Sequence, residues 1–102
     1  MLKLGPVSSF TPGSITELNL NGFNLLLINQ RGDFYLIENK CGHFGVPLND
    51  AEVTGSEITC SQHGIRFSLV TGEVVNRKFE NCDMIKTFKV VQHDDVLFSS
   101  DF

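Results

Sequence analysis

Two short segments hold the side chains best suited to bind a metal: Cys41-Gly42-His43 and, after sixteen intervening residues, Cys60-Ser61-Gln62-His63. Two sulfur and two nitrogen donors suit either tetrahedral zinc or a 2Fe2S centre in which two histidines replace two cysteines on one iron. Zinc sites in small domains usually open with Cys-x2-4-Cys, because one knuckle turn then presents two thiolates to a single ion. Neither segment has that form. One Cys and one His on each loop suits a pair of irons, since each loop then gives one ligand to each iron. On this scheme Cys41 and Cys60 hold the inner iron, and His43 and His63 the outer. A zinc-binding interaction module remains the alternative, and it would be colourless.

Such ligands must be carried on strand ends. No stretch repeats its apolar residues at helical spacing for more than a turn or two, whereas several short runs are rich in Val, Ile, Phe and Thr. Ile15 to Leu20, Asn21-Gly22 and Phe23 to Asn29 predict a hairpin, because Asn-Gly tolerates the positive φ angles of a tight primed turn. Arg31-Gly32 turns the chain into a third strand, Asp33 to Glu38, which delivers it to Cys41. From Cys41 to Asp50 two Gly and a Pro predict a loop; after the turn Gly55-Ser56, the strand Glu57-Ile58-Thr59 leads to Cys60. Two more hairpins follow: Ile65 to Val70 with Glu73 to Asn76 about Thr71-Gly72, and Ile85 to Gln92 with Val96 to Ser99 about Asp94-Asp95. The expected fold is all-β, an antiparallel sandwich or barrel with two ligand-bearing loops.

The rest of the composition narrows the function. A chain of 102 residues is the size of one ordinary domain, so a single domain over 1–102 is expected. Hydrophobic residues at 41% and charged residues at 20% place it with globular proteins. A formal charge of −4 supplies no basic field for phosphate backbones or anionic lipid, which argues against nucleic acid and membrane partners. The N-terminus lacks the charged and apolar regions of a secretory signal, and the longest apolar run, Leu25 to Ile28, is too short to cross a bilayer. A cytoplasmic protein is expected, and there three cysteines point to ligation more than to disulfides. Cys82 reads as a small buried hydrophobe and His93, beside Asp94-Asp95, as a solvated turn residue.

The segments around the ligands extend the pattern. Cys41-Gly42-His43-Phe44-Gly45-Val46-Pro47-Leu48 resembles the first cluster loop of the Rieske family, and Cys60-Ser61-Gln62-His63-Gly64-Ile65-Arg66-Phe67 resembles the second. Thr71-Gly72-Glu73-Val74 is similar to the hairpin turn that follows them. Cys82 to Val90 is similar to the returning segment in ferredoxins of ring-hydroxylating oxygenase systems. The resemblance implies one Rieske-type 2Fe2S cluster per chain, ligated by Cys41, His43, Cys60 and His63. It also implies a monomeric one-electron carrier between a flavin-containing reductase and a terminal oxygenase, with no catalysis of its own. A small Rieske-like subunit of an assimilatory nitrite reductase is a second reading.

The departures from the family pattern are informative. Ser61 stands where the family usually has Pro. Val46 and Gln62 lie at or near the places where high-potential members carry an extra Cys on each loop, so no interloop disulfide is expected. Those members also have Ser after the His-Gly and Tyr two residues later, donating to cluster sulfurs; here the positions are Ile65 and Phe67. Without those donors the electron is held less tightly, which implies a potential at the low end of the Rieske range.

Overall fold

The computed structural model describes residues 1–40, 47–61, 64–76 and 84–102. Among them the hairpin anticipated at Asn21-Gly22 is the first half of a central sheet. Strands β2 (Ile15–Leu20) and β3 (Phe23–Gln30) pair with Leu20 opposite Phe23, and Asn21 and Gly22 take φ of 56° and 81°. Arg31-Gly32 turns β3 into β4 (Asp33–Glu38), and the short strand β8 (Thr87–Phe88) closes the order β2-β3-β4-β8.

This sheet is covered on both faces. Side chains alternate along a strand, so the registers Leu26 opposite Ile37 and Ile28 opposite Tyr35 define one face, and Leu27 opposite Leu36 the other. On the first face Leu26, Ile28 and Ile37 pack with Leu48, Ile58, Cys60, Ile65 and Phe67. On the second, Leu25, Leu27 and Leu36 pack with Leu4, Phe10 and Leu97. The unbroken run Leu25 to Ile28 is thereby explained: a strand buried on both faces needs apolar residues at consecutive positions. Each of these fully buried side chains stabilises the fold by about 1.5–3 kcal/mol.

Two three-stranded antiparallel sheets lie against these faces. One has the order β5-β6-β7, from β5 (Glu52–Thr54), β6 (Glu57–Thr59) and β7 (Arg66–Ser68). The other has the order β1-β10-β9, from β1 (Leu2–Pro6), β9 (Val90–His93) and β10 (Val96–Ser99). One turn of 3-10 helix, Val7–Ser9, completes the described structure; no helix there is long and apolar enough to cross a membrane.

Five features differ from the sequence expectation, one being that the strand expected over Ile65 to Val70 is shortened to β7. Strand β1 was not anticipated, because Gly5-Pro6 reads as a breaker; a register irregularity between Lys3 and Gly5 and a position at the sheet edge accommodate both. Strand β5, inside a stretch without a strand signal, forms by pairing with β6. The expected strand Glu73 to Asn76 is reduced to one bridge, Val74 to Phe67. The expected strand Ile85 to Gln92 divides at Lys89, whose N–H leaves the ladder and donates to Asp101 Oδ2 at 2.6 Å, so that β8 joins β4 while β9 joins β10. His93 is exposed at the end of β9, with its ring edge-on to Phe98.

The turn at Gly72 locks the returning segment in place. Gly72 has φ of 82°, its carbonyl accepts the Ile85 N–H at 3.0 Å, and a Cβ built there would stand 2.1 Å from the Ile85 carbonyl oxygen. Gly72→Ala therefore meets backbone on both counts. The left-handed conformation alone costs about 1–2 kcal/mol, so a fall in melting temperature of more than about 6 °C is expected by circular dichroism. An unchanged melting temperature would show that the segment after Met84 is not docked this way.

Candidate metal centre

Of the four predicted ligands, Cys60 is the one within the described residues; Cys41, His43 and His63 lie outside them, as do Phe44, Val46, Gln62 and Cys82. Strand alternation places Cys60. In β6 and β7 the outward side chains are Glu57 and Arg66, which form an ion pair at 3.5 Å, while Ile58, Cys60, Ile65 and Phe67 turn inward. Cys60 is a free thiol, 1% exposed, in the same packed cluster as Leu48 at the far end of the first loop. Ile65 and Phe67 are both wholly buried, so Phe67 is a core residue.

Backbone hydrogen bonds shape the second loop. The Cys60 N–H donates to the Ile65 carbonyl at 2.8 Å and the Gly64 N–H to the Cys60 carbonyl at 3.0 Å. Four residues, Ser61 to Gly64, thus leave and re-enter one antiparallel ladder, with Gly64 at φ of 65°. In the sequence, His63 follows Cys60 by three positions.

The first loop is closed differently. It joins β4 of the central sheet to β5 of the smaller one, so its two ends do not meet in a common ladder. A side chain takes that part: Asn39 Oδ1 accepts the Leu48 N–H at 2.6 Å, and Asn39 Nδ2 donates to Asn49 Oδ1 at 2.7 Å. Sequence reasoning did not single out these asparagines. The available signal was an Asn just outside each end of the metal-loop pattern. Pro47 is exposed and Leu48 is 1% exposed, anchoring the end of the loop in the core.

The Rieske [2Fe-2S] domain family matches residues 1–93. The chain belongs to that family. It is similar to apoptosis-inducing factor 3 of Mus musculus, with 29% identity over 84 residues covering 82% of this chain and 14% of that much longer protein. It is also similar to the ferredoxin component of the naphthalene 1,2-dioxygenase/salicylate 5-hydroxylase systems of Ralstonia sp, at 30% over 63 residues, or 62% of this chain and 61% of the relative. Among solved structures it resembles the Sphingomonas yanoikuyae B1 ferredoxin, with a TM-score of 0.81 and 27% identity over 96% of this chain and 95% of that one. A chain from the complex of reduced oxygenase and oxidized ferredoxin in carbazole 1,9a-dioxygenase matches with a TM-score of 0.82 and 25% identity, over 97% of this chain and all of that one.

A Rieske domain carries a 2Fe2S cluster, and the described residues fit one. Cys60 is a free, buried thiol at the start of a pinned loop, and the Leu48 and Ile65 side chains beside the loop ends exclude water. Among the described residues no three His, Cys, Asp or Glu side chains gather into a metal site.

Ile65 contributes to this site through packing, whereas its backbone carbonyl holds Cys60. Ile65→Ala removes the side chain and keeps the carbonyl, so it should cost about 2–5 kcal/mol in urea unfolding while iron content stays near that of the unmodified protein. Loss of iron at unchanged stability would reverse these roles.

Proposed function

We propose that this protein is a one-electron carrier, a Rieske ferredoxin that receives electrons from a flavin-containing reductase and passes them to a terminal oxygenase. The observation that carries the reading is Cys60: a buried free thiol opening a four-residue pinned loop, in a chain whose family holds a 2Fe2S cluster. The likeness to the ferredoxin component from Ralstonia sp, and to a chain from an oxygenase–ferredoxin complex, supports the acceptor. We assign the cluster ligands as Cys41 and Cys60 on the inner iron and His43 and His63 on the outer. The chain acts as a single domain over residues 1–102, as a monomer in the cytoplasm.

When bound, the cluster supplies storage for one electron. The protein supplies the rest. Cys60 is fixed from both sides, by its own N–H on Ile65 and by its carbonyl on Gly64, so the sulfur has little freedom to move as charge changes. The packed wall of Leu48, Ile58, Ile65 and Phe67 keeps water from the thiolate side. With all four donors engaged in binding, no ligand position is left for a substrate, and the chain carries electrons without a catalytic step of its own.

Ile65 and Phe67 are fully buried and have no hydroxyl to donate toward sulfur. Hydrogen bonds to the sulfurs raise the potential, so a negative midpoint is expected, in the lower part of the family span of about −150 to +300 mV. Freshly purified protein should contain two irons and two acid-labile sulfides per chain and elute as a monomer. Its reduced form should give a one-electron paramagnetic signal. Cys60→Ser should lose most of the iron. One zinc without labile sulfide would overturn the assignment, and a midpoint above about +100 mV would overturn the reading of Ile65 and Phe67.

A further inference from the structure

The closure of the first loop belongs to a longer polar chain. Beyond Asn39 and Asn49, the Asn49 Nδ2 donates to Glu17 Oε1 at 3.2 Å, and Asn24 Nδ2 donates to Glu17 Oε2 at 2.6 Å and to Asn19 Oδ1 at 2.8 Å. The Asn39 backbone N–H also donates to the Asn24 carbonyl at 2.9 Å. Register explains the location. Glu17 lies opposite Leu26, and Asn19 opposite Asn24, so all three polar residues share the sheet face that carries Leu26 and Ile28, where the apolar stripe gives way to amides and a carboxylate.

The two metal-bearing loops therefore have unequal supports. The second is closed by main-chain bonds within one ladder, which no side-chain substitution removes. The first spans two sheets, and the described bonds between its two ends run through the Asn39 amide. A free amide on a β-strand end has several rotamers and many partners; here both of its ends are engaged, one by a peptide N–H and one by a side chain anchored on Glu17. Such an arrangement fixes the distance between residues 39 and 48, and with it the span available to Cys41 and His43.

We infer that Asn39 is a positioning residue for the cluster: its amide clamps the two ends of the first loop, braced by Asn49 and Glu17, and so fixes the geometry of the Cys41 and His43 ligands. This rests on the ligand assignment above. The clamp serves in a chain whose Val46 and Gln62 provide no interloop disulfide.

The two arms of the clamp are separable. Asn39→Ala removes both. Asn39→Asp keeps an acceptor for the Leu48 N–H and loses the donor to Asn49, and Asn49→Ala cuts the same outer arm from its other side. Leu97→Val, in the core on the face of the central sheet opposite to Leu48 and Cys60, serves as a general destabilisation control. The holo-proteins are compared by the rate of chelator-driven bleaching, by thermal melting, and by the linewidth of the reduced paramagnetic signal, which reports the spread of ligand geometries.

Asn39→Ala is expected to bleach about tenfold faster, roughly the factor one ordinary hydrogen bond supplies, and to broaden the signal. Asn39→Asp and Asn49→Ala should agree with each other at about threefold, and Leu97→Val should stay within about twofold with an unchanged linewidth. If Asn39→Ala does not accumulate, the paired response of Asn39→Asp and Asn49→Ala decides. Linewidths unchanged in every clamp variant, with bleaching that follows melting temperature along the same line as Leu97→Val, would overturn the inference. Failure of the ligand assignment would be visible separately, as the absence of iron and labile sulfide from the unmodified protein.

Discussion

A sheet buried on both faces is the constraint from which the rest of this structure follows. The pairing of β3 with β4 sends Leu26, Ile28 and Ile37 to one side and Leu25, Leu27 and Leu36 to the other. A slip of one residue would exchange the two sets. Because both sides are apolar, hydrophobicity alone would tolerate such an exchange, and the register needs other anchors. Asn29 is one: it is 4% exposed, its Nδ2 donates to the Phe10 carbonyl at 2.7 Å and its Oδ1 accepts the Gly32 N–H at 2.8 Å. The polar residues Glu17, Asn19 and Asn24 are another, since in this register they share one face and hydrogen-bond to each other and to Asn49.

The two faces of the central sheet pack different parts of the chain. Cys60 lies in the cluster of side chains on one face, while the two chain termini pack on the other through Leu4, Leu97 and Phe102. The aromatic group Phe23, Phe88 and Phe102, with ring centroids 4.9–6.2 Å apart, gathers on the terminal side. The sheet that leads to Cys60 is small, three strands of three residues each, and depends on the larger sheet for its burial. A bound cluster held by two loops would add the cross-links that so small a sheet lacks.

Much of this was legible in the residues. The hairpin at Asn21-Gly22, strand β4 and strand β6 were read with their observed limits to within a residue, because each combines apolar alternation or a β-branched run with an unambiguous turn. The all-β class and the family were legible too, the latter from the Cys-x-His and Cys-x-x-His loops together with their flanking Gly, Pro and Leu. What escaped depends on distant partners. Strand β5 exists because β6 pairs with it, β1 because β10 does, and the break at Lys89 because Asp101 takes its N–H. The Asn39 clamp escaped for the same reason, since nothing local distinguishes an asparagine that bridges a loop from one that faces solvent. Of the four proposed ligands, Cys60 is the one within the described residues, and it lies at the base of its loop.

Strands β1 and β10 are neighbours, with Leu2 opposite Ser99, so the beginning and end of the fold emerge side by side from the sheet farthest in packing from Cys60. A fold with adjacent ends can be spliced into a larger polypeptide through a narrow two-stranded stem without disturbing its interior. Cys60, packed on the opposite face of the central sheet, would lie away from such a junction. The same architecture can thus serve as a separate shuttle or as a grafted module, which accords with its likeness both to ferredoxin-sized chains and to a segment making up 14% of a much larger protein.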